Sequence, residues 1–257
     1  MSTVAIIGGS GLERLPTEYS IEPLVVETRF GRAVAARARR GELEVIFLSR
    51  HGETHGLAPH KINYRANIAA LVELGVERVL ATNAVGSLRI DLPPDSLILL
   101  SDFLDFTRGR PLTFWEGVEH APSPVVHTDF TEPYCPQLRE TLMDVATRLD
   151  VKLLPRGVYL CTAGPRYETP AEVRLFAQWG ADVVGMTGVP EAVFAREAGL
   201  CYAAVGIVTN YAAGLQKATV THEEVMSHMA TCANVVLELL MAAAGSISVE
   251  RTCRCAG

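Results

Sequence analysis

Residues 4–12 read Val-Ala-Ile-Ile-Gly-Gly-Ser-Gly-Leu, four apolar residues running directly into a glycine-rich turn. A run this short and partly β-branched predicts a buried strand, with the turn at its carboxyl end. The pattern recurs along the chain, with further runs at Glu44–Leu48, Val79–Ala81, Ser96–Leu100, Val158–Cys161, Val183–Met186 and Ala203–Val208. Between several of them, apolar residues fall three and four apart, in Asn63–Leu74 (which stops at Gly75), Pro136–Leu149, Pro170–Trp179, Val189–Ala198 and His222–Ala244. That spacing belongs to helices. Strands alternating with helices predict an α/β fold, a mixed, twisted β-sheet flanked by helices. No repeat, low-complexity tract or Ser/Gly linker interrupts the chain, so residues 1–257 read as a single domain with a tail from about residue 246.

The bulk composition narrows the function classes. With 257 residues, 49% of them apolar, the chain can bury a full core. A net charge of −6, with no Lys/Arg run longer than two, argues against a nucleic-acid partner. The N-terminal MSTVAIIGGSG has no basic segment leading into a long apolar one. Nor does any apolar run approach the roughly 20 residues of a membrane span, so the expectation is a cytoplasmic protein with no membrane partner. The six cysteines show no CxxC pair, which argues against a zinc site. Cys253 and Cys255 form a CxC near the C-terminus, either a strained disulfide that ties down the tail or two free thiols.

Six of the seven expected strands are followed directly by a polar cluster: Gly8–Gly11, Ser49–His55, Thr82–Ser87, Thr162–Glu168, Met186–Thr187 and Thr209–Ala213. Open α/β sheets bind ligands at the carboxyl ends of their strands, so these clusters predict one small-molecule site. Gly8-Gly9-Ser10-Gly11 suits an oxyanion through backbone N–H groups and the Ser10 hydroxyl, or is an ordinary βα turn. Arg14 stands where a dinucleotide fingerprint needs its third glycine, and Gly-Lys-Ser/Thr is missing, so neither nucleotide loop applies. Arg50 and His51 offer a charged fork and a second donor for phosphate. His51 and His55 share helical spacing for a metal, but Gly52 between them argues against that helix and no third ligand stands out.

Taken in order, the segments IIGGSGL, SRHGETH, INYRANIAAL, NAVGSL, GPRYETPAE, GMTGVPEAVFAREAGL and VTNYAAG resemble the trimeric purine nucleoside phosphorylases. The match is closer still to the methylthioadenosine phosphorylases of that family, and it runs from Val4 to about Val225. The resemblance implies a phosphate site formed by Ser10, Arg50, His51, Ala84 and Thr187, with Asn83 adjoining. It implies that Tyr167 stacks on the purine, that Met186 packs on the ribose, and that Asn210 faces N7 and position 6. It implies no cofactor, with inorganic phosphate as co-substrate and a purine nucleoside as the other ligand. It also implies a homotrimer, or a dimer of trimers, in which His127 reaches a neighbour's ribose pocket. Arg50, His51 and Asn210 are the expected catalytic set.

Two positions differ from the methylthioadenosine enzymes, which carry Asp-Tyr-Asp where this chain has Asn210-Tyr211-Ala212. Asn can donate to O6 or N7, whereas Asp would set acceptor against acceptor at a 6-oxo group. Glu168 can accept from purine N1–H. The resemblance places a serine at the Glu168 position in the animal methylthioadenosine enzymes and a glutamate in the inosine/guanosine enzymes, so Asn210 and Glu168 both imply hypoxanthine and guanine as bases. His222, in Thr-His-Glu-Glu-Val, resembles the residue that meets the ribose 5′-hydroxyl in inosine/guanosine enzymes. That reading is favoured over a solvated residue at a helix start, and methylthioinosine or methylthioadenosine stays the alternative substrate because the chain as a whole resembles the methylthio branch. A nucleosidase would instead need a carboxylate base near C1′, and a non-catalytic nucleotide-binding module would leave Tyr167, Glu168 and Asn210 without a role.

Overall fold

The computed structural model describes residues 3–9, 18–52, 56–115, 127–217 and 219–255. Among the described residues, nine strands form one mixed sheet. They are β1 (Thr3–Gly8), β2 (Ser20–Thr28), β3 (Gly31–Arg40), β4 (Leu43–Ser49), β5 (Val76–Ser87), β6 (Leu97–Phe106), β7 (Leu153–Thr162), β8 (Val183–Gly185) and β9 (Cys201–Tyr211). Five α-helices accompany them: α1 (Tyr64–Glu73), α2 (Pro136–Arg148), α3 (Pro170–Gln178), α4 (Gly188–Glu197) and α5 (His222–Ser246). This is the single-domain α/β fold expected from the sequence. The strand order is β2-β3-β4-β1-β5-β8-β7-β6-β9, and β9 also pairs with β5, so the last five strands close into a ring.

The alternation of side chains along the strands explains the layers. Val4, Ile6, Val45 and Phe47 point to one face, where they meet Leu138, Leu142 and Val145 of α2 and Met229, Val236 and Leu240 of α5. Their neighbours Ala5, Ile7, Ile46 and Leu48 point to the other, against Ile68 and Leu71 of α1 and Ala192, Phe194 and Ala195 of α4. Parallel strands covered on both faces read as continuous apolar runs, which is why β1, β4 and β9 are legible from the sequence. The 25-residue α5 is long and apolar enough to suit a membrane span, yet it buries ten residues in the described fold.

Caps set the helix starts. Thr169 and Glu172 form a reciprocal capping box ahead of Pro170 in α3, and Thr221 accepts from the Glu224 N–H at 3.1 Å to start α5. Beyond α5 the tail is docked. The Gln137 side chain donates to the Glu250 carbonyl at 2.8 Å and accepts from the Thr252 N–H, and Arg251 donates to the Gly199 carbonyl. None of the six cysteines forms a disulfide, Cys253 and Cys255 included.

The strands run further than their apolar stretches. Thr82–Ser87, read from sequence as a polar cluster following a strand, is itself strand, paired with β9 up to Ser87 opposite Tyr211. Likewise Thr209 and Asn210 lie inside β9. The hairpin of β2 and β3 had no counterpart in the sequence reading.

Candidate active site

A cavity of about 520 Å³ opens where these strands end. Its lining includes Arg50, His51, Ala84, Val85, Gly86, Tyr167, Glu168, Met186, Thr187, Asn210 and His222. Six separate segments supply them, as strand-end ligand sites in α/β sheets require. Ser10 and His55 lie outside the described residues. Asn83 stands behind the wall. Its amide donates to the Thr187 hydroxyl oxygen at 3.1 Å, which leaves the hydroxyl hydrogen of Thr187 to point elsewhere. The backbone N–H groups of Thr187 and Gly188, at the start of α4, are both taken by the Tyr159 hydroxyl. Thr187 therefore offers an anion its side chain.

Arg50 is 1% exposed and tightly held. Its Nε and Nη2 both donate to the Glu191 carboxylate, the latter at 2.8 Å, and Nη1 donates to the Thr82 carbonyl at 2.8 Å. Glu191 is fully buried in the first turn of α4 and also accepts from the Tyr202 hydroxyl at 3.0 Å. Burial alone would depress the Arg50 pKa, but the Glu191 charge and hydrogen bonds outweigh it and hold it above the ordinary value. The fork is thus a fixed cation with two N–H groups still uncommitted to Glu191 or Thr82, one on each Nη. Gly9 permits this packing, since a Cβ there would stand 2.8 Å from Arg50 Nη1 and 3.2 Å from the Thr82 carbonyl oxygen. His51 is buried, and its Nδ1 donates to the Leu57 carbonyl at 2.8 Å, which fixes the orientation of the ring.

Asn210, also in the cavity lining, is 5% exposed. Its Nδ2 donates to the Tyr211 carbonyl at 2.9 Å and its Oδ1 accepts from the Thr209 hydroxyl at 2.9 Å. A carbonyl can only accept, so the amide orientation is set, and one Nδ2 hydrogen is left for a ligand. Gly86 leaves the room, because a Cβ there would sit 3.2 Å from Asn210 Nδ2. Glu168 accepts from the Thr162 hydroxyl at 2.9 Å. Burial raises its pKa above the usual carboxylate value, so it keeps its proton to a higher pH than an exposed glutamate. Tyr167 lies on the rim at 38% exposure.

Two expected residues lie elsewhere. The Tyr211 hydroxyl donates to the Ile90 carbonyl, and Ala212 is buried in an apolar cluster with its N–H on the Ser87 carbonyl, so neither lines the cavity. β9 continues through Tyr211, and strand alternation turns that side chain away from the face that carries Asn210. His222 joins the lining as the first residue of α5, and His127 is exposed and outside the lining of this chain.

Sequence reasoning missed Glu191 and Arg110. A glutamate inside the apolar Val-Pro-Glu-Ala-Val-Phe helix turn was the available signal for the first. Arg110 is nearly buried and donates to the Met186 carbonyl at 2.8 Å and the Ala163 carbonyl at 2.7 Å, binding together two loops that line the cavity. Nothing in its local sequence distinguishes it.

Residues 3–244 match the phosphorylase superfamily. The chain is 48% identical over 257 residues to the 6-oxopurine nucleoside phosphorylase of Pyrococcus furiosus, covering 99% of this chain and 97% of that one. It is 44% identical to the probable S-methyl-5′-thioinosine phosphorylase of Methanopyrus kandleri, covering 99% and 96%. Among solved structures, a Schistosoma mansoni methylthioadenosine phosphorylase in complex with adenine superposes with a TM-score of 0.92 at 32% identity, covering 98% of this chain and 93% of the other.

Proposed function

The chain belongs to the phosphorylase superfamily, and from that premise we propose that it cleaves 6-oxopurine nucleosides, inosine and guanosine, by phosphorolysis to the free base and ribose 1-phosphate. The observation that carries this reading is a single cavity lined both by Arg50, His51 and Thr187 and by Glu168 and Asn210. The first group suits a phosphate dianion. The second offers an acceptor for N1–H and a donor for N7 or O6.

The chemistry follows from that division. Breaking the N-glycosidic bond builds positive charge on the sugar and negative charge on the departing purine. Phosphate held by the Arg50 fork, His51, the Thr187 hydroxyl and the backbone at Ala84, together with Ser10, faces the developing cation and then bonds to C1′. Asn210 shares the charge on the base as it leaves, while Tyr167 stacks on the ring and Met186 packs on the ribose. Bond making by phosphate and bond breaking at the base balance without a protein nucleophile, a catalytic metal or an organic cofactor.

Hypoxanthine release from inosine is expected to require phosphate and to yield ribose 1-phosphate. Free ribose formed without phosphate would make the enzyme a hydrolase and end this reading. In the same assay, His222→Val is expected to lower kcat/KM for inosine about two- to tenfold, the value of one net hydrogen bond to the 5′-hydroxyl. Methylthioinosine turnover should hold or improve. A wild type that strongly prefers methylthioinosine would transfer the assignment to that substrate.

His127, exposed and away from the chain's own cavity, fits a residue lent to a neighbouring subunit in a homotrimer. Mixing Asn210→Ala chains with His127→Ala chains is expected to restore part of the activity each lacks alone. A fully active monomer in sedimentation would exclude the composite site.

A further inference from the structure

Four of the six cysteines meet on the α2/α5 face of the sheet, at the opposite end of β9 from Asn210. Cys135 immediately precedes α2, Cys201 opens β9, and Cys253 and Cys255 come from the docked tail. Their sulfur atoms all lie within 4.8 Å of one another, with Cys201 and Cys253 at 3.3 Å. Three of the four residues are buried and Cys253 is partly so. In a tetrahedral tetrathiolate shell, Zn–S bonds of about 2.3 Å set the sulfurs about 3.8 Å apart. The cluster therefore needs only small side-chain adjustments to close on an ion.

A second observation identifies the charge state this cluster is built for. Arg78 is fully buried, and none of its Nε, Nη1 and Nη2 has a hydrogen-bond partner among the described residues. It stands directly opposite Cys201 in the parallel register of β5 and β9, so both side chains leave the same face. A buried guanidinium without a counter-charge is strongly unfavourable. Four neutral thiols supply no such charge, and neither do two disulfides. Four thiolates around a divalent cation carry a net charge of −2.

We infer that Cys135, Cys201, Cys253 and Cys255 form a structural site for a thiophilic divalent cation, zinc above all, with Arg78 as its buried counter-ion. Binding releases the thiol protons to solvent and leaves no open coordination position, the mark of a structural rather than a catalytic zinc. The ion would fasten the tail to the start of α2 and the start of β9. The ligands come from three distant segments, which is why no CxxC spacing reveals them.

The test uses the intact protein, purified without chelator or added thiol. Elemental analysis is expected to find one zinc per chain, released when a mercurial titrates the thiols. Cobalt(II) added to metal-stripped protein should give the visible bands of a tetrahedral tetrathiolate. Cys255→Ser should lose the stoichiometric zinc and melt at a lower temperature. Arg78→Met should keep the four ligands yet bind zinc about 10- to 100-fold more weakly, as loss of a supporting group around a metal shell does. Intact mass decides against the site in either of two ways: a chain four mass units light, which signals two disulfides, or four freely alkylated thiols and no metal after dialysis against zinc.

Discussion

Replacing Asn210 by Asp is expected to lower kcat/KM for inosine at least about 100-fold, the loss that follows removal of one donor aimed at developing negative charge. The same change should narrow the preference for inosine over adenosine. The basis is the amide's fixed orientation. Nδ2 is pinned toward the Tyr211 carbonyl, so turning the amide over to meet a 6-amino group would set Oδ1 against that carbonyl. Sites built on a substrate's hydrogen bonds reject the mismatched analogue by about 10⁴-fold, and Asn210 with Glu168 forms such a site for a 6-oxopurine. Aspartate removes the donor and faces the Tyr211 carbonyl with a carboxylate, so some loss of stability accompanies the change. Measuring specificity constants for both nucleosides alongside Tm separates the two effects. A lower Tm with an unchanged inosine-to-adenosine ratio would reduce Asn210 to a residue that merely ties the end of β9. Adding Ala212→Asp buries a carboxylate among Leu160, Val173 and Phe176 and should cost further stability without extending the base contact.

Glu191→Ala is expected to destabilise the fold by about 3–5 kcal/mol, because it strands the Arg50 guanidinium as an unpaired buried charge. For a chain of this size that corresponds to a fall in Tm of roughly 6–20 °C. The milder Glu191→Gln keeps the shape and one acceptor, and serves as the functional probe. It should raise KM for phosphate well above any change in KM for the nucleoside, since Glu191 touches neither ligand and acts by aiming Arg50. An Arg50→Met/Glu191→Leu pair should recover part of the stability lost by Glu191→Ala while remaining inactive, as replacing a whole buried ion pair by apolar groups often does. Equal KM shifts for both substrates would mean that Glu191 only supports the fold.

How much of this was legible beforehand depended on what each residue's neighbours could conceal. Seven strands announced themselves because they are buried on both faces and so carry unbroken apolar runs. β3, GRAVAARARR, did not, since alanine and arginine favour helix in isolation and it takes strand form by pairing with both β2 and β4. Thr82–Ser87 read as a polar cluster beyond the end of its strand for a related reason. Its small polar residues gain strand structure from the ladder with β9 rather than from their own propensity. Among the site residues, motif order led to Arg50, His51, Thr187, Glu168 and Asn210. It could not reveal Glu191 or Arg110, whose roles depend on partners 141 and 76 residues away, Arg50 for the one and Met186 for the other. Tyr211 and Ala212 were misplaced because a local motif does not show which way a strand turns its side chains.

That the cavity's floor is strand rather than loop has a consequence for how it moves. Ala84, Val85 and Gly86 lie in β5, which is laddered to β9 along its length and to β1 and β8 toward its two ends. The conformational entropy of that floor is lost when the sheet forms, before any ligand arrives. Amide protons there should exchange with solvent at rates governed by global unfolding, while those at the Tyr167 and His222 rim exchange through local opening. A ligand thus meets a floor already as ordered as the core and has only the rim left to organise.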